Sequence, residues 1–195
     1  MGDVTIELGF DDHERARVAS LYWEAFGRKL RPAFRDEPTG IAVVTTGLQP
    51  RHVLVARRDG SLVGVCGFYG AGGGALELTW SHLRRVLSVP AAWRALVVLS
   101  VLSRSARPGA LVLDGICVES AARGSGIGTA LLNAATARAR AEGARCVVLS
   151  VIEDNPRARA LYERLGFTAR EQGSLGPLRR VYGFDRFTTM EREIA

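Results

Sequence analysis

The residues most able to do chemistry lie between Ile116 and Tyr162. After an apolar run ending in Ile116, Cys117 and Val118 come Arg123, Gly124, Ser125, Gly126, Ile127, Gly128 and Thr129, with glycines at alternate positions behind an arginine. Glycines so placed let the backbone approach a ligand without a Cβ in the way, and the first amides of a following helix have no internal partner. Their summed partial charge favours an anion, a phosphate being the natural occupant, and Arg123 adds a fixed positive charge. The same residues would also serve a plain tight strand-to-helix turn with a surface arginine. Further on, Asn155-Pro156 supplies an N-cap and a pre-organised first helical residue. Tyr162 lies seven residues beyond Asn155, about two turns up that helix. Gly166, within Leu165-Gly166-Phe167, is suited to end it.

Two strands and a helix must position these groups. Ile116 to Val118 read as the end of a buried strand, since β-branched residues suit a pleated sheet. Ile127, Ala130, Leu131, Ala134, Ala137 and Ala141 recur at helical spacing, with Gly143 placed to stop the helix. Cys146 to Val151 read as a second buried strand. Strand, helix and strand in this order imply a parallel pair joined by a right-handed crossover.

The combination resembles the GNAT superfamily of acyl-CoA-dependent N-acyltransferases. Arg123, Gly126 and Gly128 meet that family's pyrophosphate motif, (Gln/Arg)-x-x-Gly-x-(Gly/Ala). Asn155 and Tyr162 fall on its Asn and its Tyr before a Leu-Gly-Phe end. The match is good over residues 110–170 and is one of pattern in the flanks. It implies an α/β (α+β) fold: a mixed, mostly antiparallel seven-stranded sheet with a central splayed parallel pair and helices on both faces. It also implies one N-acetyltransferase domain over residues 1–195, with acetyl-CoA as cosubstrate and no metal. Ile116, Cys117, Val118, Arg123, Gly124, Ser125, Gly126, Ile127, Gly128, Thr129, Asn155, Ala158 and Tyr162 would form the coenzyme contacts.

By the same resemblance, the pantetheine arm lies where the parallel strands part. A backbone N–H near Val118 would stabilise the polarised thioester carbonyl, and Tyr162 would be the general acid for the departing thiolate. The transfer would be direct, within a ternary complex, to a primary amine of a small molecule, peptide or protein. The general base is less evident. The family's ribosomal-protein alanine acetyltransferases carry a Glu twelve residues before the tyrosine, and that position here is Ser150, which argues against their mechanism. Glu119 is the catalytic carboxylate expected instead, with Asp114, Glu77 and His82 as further candidates. Two other readings compete. A dinucleotide-dependent oxidoreductase would need glycine where Thr129 stands. A non-catalytic acyl-CoA-binding module would share the same cradle.

The flanks supply the rest of the fold. Val4 to Phe10 predicts a first strand, His13 to Leu30 an amphipathic helix, and Ile41 to Leu48 a short second helix. Tyr22, Trp23, Phe26 and Phe34 would pack the core or line an acceptor pocket. His52 to Arg58 and Leu62 to Tyr69 form a hairpin about Asp59-Gly60-Ser61, and Gly70 to Gly74 a flexible break. Residues 78–106 read as a helical insertion before the fourth strand, divided at Pro90. It would form a lid over the acceptor side or a dimer surface, with Gly70 to Gly74 and Pro108-Gly109 as hinges. Thr168 to Gln172 and Arg179 to Glu191 complete the strands.

Composition bounds the partners. The net charge is +6, but 25 of the 26 basic residues are arginine, Lys29 is the only lysine, and they are spread along the chain. No concentrated basic stripe with interleaved aromatics exists, so a nucleic-acid surface is not expected. Cys66, Cys117 and Cys146 lie far apart in apolar runs, which suggests buried reduced thiols and neither a zinc site nor a disulfide framework. The opening residues lack a basic region followed by an apolar core, and the apolar run Ala95 to Leu102 is too short to span a bilayer. A cytoplasmic protein without stable membrane insertion is therefore expected.

Overall fold

The computed structural model describes residues 3–70, 72–101 and 106–194. In chain order the elements are β1 (Val4–Leu8), α1 (Arg15–Leu30), α2 (Glu37–Gly47), β2 (Val53–Arg58), β3 (Ser61–Tyr69), α3 (Trp80–Arg84) and α4 (Val89–Ser100). There follow β4 (Ala110–Val118), α5 (Ile127–Ala141), β5 (Cys146–Ile152), α6 (Pro156–Arg164), β6 (Thr168–Ser174), α7 (Arg179–Tyr182) and β7 (Arg186–Glu193). The strands form one sheet in the order β1-β2-β3-β4-β5-β7-β6. Every neighbouring pair is antiparallel except β4 and β5. This is the mixed, mostly antiparallel arrangement that the family resemblance implied.

The parallel pair is short. Its register runs from Ala110↔Cys146 to Val112↔Val148, although β4 continues to Val118 and β5 to Ile152. Beyond Val112 the two strands part, leaving a gap in the middle of the sheet. Helices cover both faces. Val18, Leu21 and Tyr22 of α1, Val43 and Val44 of α2, and Ala92 and Ala95 of α4 join the core on one face. Leu131, Leu132, Ala135 and Ala139 of α5 join the core on the other.

A β-bulge in β4 decides which residues reach which face. Gly67 pairs with Gly115 and Phe68 with Leu113, so Asp114 is the extra residue without a partner on β3. A bulge reverses the alternation of side chains beyond it. Leu111 and Leu113 belong to the α5-side core, whereas after the bulge Cys117 belongs to the α1-side core and Ile116 and Val118 border the α5 side.

The insertion is helical, as its periodicity predicts, and Pro90 sits in the first turn of α4. The part of the expected insertion at 102–105 lies outside the described residues. Thr79 caps α3 through a capping box with His82. On α4, Val89, Trp93, Val97 and Val101 face outward at four-residue spacing and are 48%, 57%, 63% and 44% exposed. Trp80 lies against Trp93, with ring centroids 5.4 Å apart. No helix among the described residues is long and apolar enough to cross a membrane.

Two expectations, the seventh strand and the start of the second helix, need correction. The stretch Arg179 to Glu191 is not one long strand: Arg179–Tyr182 is a helical turn, Gly183 ends it at φ 69°, and β7 begins only at Arg186. Tertiary contacts override the strand-forming Val181 and Tyr182, because the buried Tyr182 donates its hydroxyl to the Val98 carbonyl of α4 at 2.6 Å. At the break from Gly70 to Gly74, Gly70 and Gly73 exchange backbone hydrogen bonds of 3.0 and 3.3 Å; Ala71 lies outside the described residues. The second helix starts four residues earlier than expected, at Glu37, because Asp36 accepts from the Thr39 N–H at 2.8 Å and Pro38 fits the first turn.

Candidate active site

The glycine turn shapes an open cradle at a helix N-terminus. Gly124 and Gly126 have φ +82° and +85°, a left-handed conformation that side chains other than glycine rarely adopt, and the space a Cβ would enter is open. Gly126 is the N-cap of α5 and carries no side-chain cap; the helical ladder begins with the Ala130 N–H to the Gly126 carbonyl at 3.0 Å. The amides of Ile127, Gly128 and Thr129 therefore lie ahead of the ladder and face outward from the helix end. Gly128 has a different role: a Cβ there would stand 3.1 Å from Leu161 Cδ2, so its absence lets α5 approach α6. The Ile127 side chain is buried in the α5-side core.

Charge around the cradle is arranged by partners far away in sequence. Arg123 donates from Nε to the Val118 carbonyl at 3.0 Å and pairs with Glu24 of α1. The arginine thus clasps the loop to the end of β4. Arg58, from the end of β2, donates to the Ser125 hydroxyl, which itself donates to the Ala122 carbonyl at 2.6 Å. Arg58 brings a second cation to the turn. Its position 67 residues before Ser125 carries no local signal in the sequence.

The gap itself is lined by backbone groups. The Glu119 N–H donates to the Val63 carbonyl at 2.9 Å, next to the facing pair Gly64↔Val118. In an antiparallel ladder this makes Val118 a non-hydrogen-bonded position, so its N–H and C=O point away from β3. By alternation Ile116 does the same, and both residues turn their polar backbone toward the gap. Cys117 does not: its backbone belongs to the β3 ladder and its thiol is buried against α1. Burial pushes that thiol up to about 12, with a smaller effect of the Glu24 charge.

On α6, Asn155 accepts from the Ala158 N–H at 3.1 Å, the expected cap. Ala158, Leu161 and Tyr162 border the α5-side core, and the Tyr162 ring lies 6.0 Å from that of Phe167. The cradle, the Ile116 and Val118 backbone and Tyr162 are thus gathered on one face of the sheet.

The opposite face holds a cavity of about 930 Å³. Val112 and Asp114 of β4 and Val148, Ser150 and Ile152 of β5 form its floor, where the strands part. Leu96, Leu99 and Val101 of the α4 region form one wall, while Phe26, Phe184 and Phe187 supply aromatic surface. Two glycines make the floor possible. A Cβ on Gly67 would fall 1.8 Å from the Tyr22 hydroxyl, and one on Gly115 would fall 1.9 Å from Phe26 Cζ. With both absent, Tyr22 reaches Asp114 and donates to its Oδ2 at 3.3 Å. Burial, and then the Asp114 charge, raise the Tyr22 hydroxyl well above its ordinary value, so it remains a donor.

The expected carboxylates separate clearly. Asp114 and Glu77 line the cavity, and Glu119 and His82 do not. The Glu119 carboxylate pairs with Arg17 of α1, and His82 Nδ1 is engaged with the Thr79 hydroxyl at 2.9 Å. Tyr22 and Phe26 line the cavity, whereas Trp23 and Phe34 are core. Among the described residues, three possible metal-ligating groups (Asp11, His13 and Glu14) come together, at the start of α1 and away from this site. Glu14 there is already bonded to Arg57 at 2.7 Å.

Residues 15–167, most of the chain, match the acetyltransferase (GNAT) family. The chain belongs to that family. Its fold is shared by an N-acetyltransferase from Staphylococcus aureus Mu50, with a TM-score of 0.68 and 17% identity over 96% of this chain and 99% of that one. The ribosomal-protein-S18-alanine N-acetyltransferase from Escherichia coli gives a TM-score of 0.58 and 16% identity over 99% and 95% of the two chains. In sequence, 54 residues are 48% identical to mycothiol acetyltransferase of Corynebacterium glutamicum (strain R). That match spans 28% of this chain and only 18% of that relative. The family is one of acetyltransferases. The family's acyl donor, acetyl-CoA, has a diphosphate that suits the cradle: open space before two left-handed glycines, outward helix amides and two nearby arginines.

Proposed function

We propose that the protein transfers the acetyl group of acetyl-CoA directly to a primary amine, with both substrates bound at once. One observation carries this reading. The gap between β4 and β5 lies between a turn that suits a diphosphate and an acid-bearing cavity floored by the same two strands. Bound acetyl-CoA would supply an activated thioester at that gap. The Gly124–Thr129 turn, with Arg58 beside it, would hold the diphosphate, and the Ile116 and Val118 backbone would bind the pantetheine arm as a strand-like partner.

The chain's own groups then have assignable tasks. Asp114 faces the cavity beside the gap, so it would hold the incoming ammonium and take its proton, directly or through a water. Tyr22 positions Asp114 by donating to it. Glu119, expected as the catalytic carboxylate, is assigned instead to the ion pair that ties α1 to the end of β4. The Val118 N–H would stabilise negative charge developing on the thioester oxygen, an effect worth about 3 to 4 kcal/mol for one well-placed donor. Tyr162, on the coenzyme side, would give its proton to the departing thiolate. Holding both reactants across a narrow gap would supply much of the remaining rate by proximity.

Initial-velocity kinetics with varied acetyl-CoA and amine test the reading. Intersecting double-reciprocal lines, and a kcat/KM for the amine lowered a hundredfold or more in Asp114→Asn, are expected. Parallel lines, or full activity in Asp114→Asn, would remove the direct transfer or the role of Asp114, respectively.

A further inference from the structure

The geometry points to an acceptor whose single amine is carried on an extended apolar body, such as a long alkyl or arylalkyl amine. This rests on the acetyl-transfer reading for the direction of the amine, but the binding preference stands on the cavity alone. The volume, about 930 Å³, lies at the upper end for small-molecule sites, and its polar groups, Tyr69 and Ser100 among them, are unevenly placed. Asp114 sits on the floor at the gap, beside Ser150 and Thr189, whose hydroxyls lie 3.4 Å apart and can satisfy each other. Away from the gap the surface is Leu96 and Leu99 of α4 with Phe184 and Phe187 opposite. Val101 both lines the cavity and is 44% exposed, so the apolar lining continues to the mouth.

The cations near the cavity do not reverse this pattern. Lys29 lies over the Phe184 ring, with Nζ 5.3 Å from the centroid, and Arg107 pairs with Glu191 at 3.5 Å. Glu77 is the second acid, beside Gly73 and toward the insertion. A polyhydroxylated amine entering here would bury part of its hydroxyl groups against leucine and phenylalanine, which is unfavourable wherever they meet no partner. An alkyl or aryl body would meet matching surface, and its ammonium would reach Asp114. The insertion is what makes this difference, because α4 contributes the wall that the sheet alone lacks.

Calorimetric titration of the coenzyme A-bound protein with butylamine, hexylamine, octylamine, glucosamine and octanol tests the class. Each buried methylene stabilises by about 0.8 kcal/mol, roughly fourfold in affinity, so octylamine should bind at least fiftyfold tighter than butylamine. Octanol should bind more weakly than octylamine, and glucosamine should show no measurable binding. Leu99→Asp should reduce octylamine affinity tenfold or more while leaving coenzyme A affinity unchanged. Leu99→Met provides a control that keeps both the fold and the preference. Affinity independent of chain length, tighter binding of glucosamine, or an unchanged series in Leu99→Asp would overturn the class. Thiol release from acetyl-CoA, followed in the same samples, separates the two levels. Chain-length-dependent binding without thiol release would refute the transferase reading and leave the acceptor class standing. Turnover that favours glucosamine would do the reverse.

Discussion

Replacing Gly67 by alanine tests how the cavity floor is built. The new Cβ would lie 1.8 Å from the Tyr22 hydroxyl oxygen and 2.7 Å from Ala75 Cβ. Tyr22 is 1% exposed, so it cannot swing into solvent and must move within a packed core. Overpacking of this kind costs about 1 to 3 kcal/mol. Losing the long bond to the Asp114 carboxylate adds about 1 to 2 kcal/mol. Gly67→Ala alone should therefore destabilise by about 2 to 5 kcal/mol. Tyr22→Phe removes the hydroxyl without crowding, and the 3.3 Å bond is long, so about 1 to 2 kcal/mol is expected. In the double variant the nearest remaining ring atom would be Cζ, 3.1 Å from the new Cβ, so the contact with the ring is relieved while the 2.7 Å approach to Ala75 Cβ remains. The double variant should thus be less destabilised than the sum of the single variants by about 1 to 2 kcal/mol, as contacting residues allow. Urea unfolding followed by circular dichroism gives the four stabilities of the cycle. Additivity within about 0.5 kcal/mol, or a Gly67→Ala protein as stable as its parent, would refute the argument that this glycine exists to admit Tyr22.

Other perturbations address the two faces of the gap separately. Gly126→Glu should abolish acetyl-CoA binding by calorimetry with the circular dichroism spectrum retained, since it strains a backbone at φ +85° and puts a carboxylate where phosphate should lie. Tyr162→Phe should lower kcat tenfold or more with little change in coenzyme affinity, and should steepen the dependence on leaving-thiol pKa when acyl donors with different thiols are compared. The thiols of Cys66 and Cys117 are pushed up to about 12, in both cases chiefly by burial. At pH 8 only roughly one part in ten thousand is thiolate. Iodoacetamide at that pH should therefore label the partly exposed Cys146 first, as read by peptide mass spectrometry, and labelling of Cys66 or Cys117 in folded protein would contradict the packing of β3 and β4.

Local chemistry made half of the site legible in the sequence. The alternating glycines, the cap at Asn155 and the helical spacing after Ile127 are short-range patterns, and each reappears as the φ +85° N-cap, the 3.1 Å cap bond and α5. What sequence could not supply came from pairing between distant strands. Asp114 stood only as one of several candidate bases, behind Glu119, because a bulge exists only relative to a partner, here the Gly67–Phe68 step of β3. Gly67 and Gly115 in strand interiors were the available signal, since glycine there often marks a close approach. Arg58 joined the cradle, and Glu119 was drawn into a pair with Arg17, through contacts spanning 67 and 102 residues. The misread Arg179–Tyr182 segment belongs to the same class, its helical turn being tied to Val98 across 84 residues.

The central claim is acetyl transfer to an amine across the β4–β5 gap, and mass analysis of a single reaction tests it most directly. Purified protein, acetyl-CoA and octylamine are incubated together, and free thiol and N-acetyl product are quantified in the same sample. The account predicts one thiol released for each N-acetyloctylamine formed, with both lost in Gly126→Glu and strongly reduced in Asp114→Asn. Tight coenzyme binding with no thiol released and no acetylated product, for octylamine and for a broad panel of other amines, would contradict it.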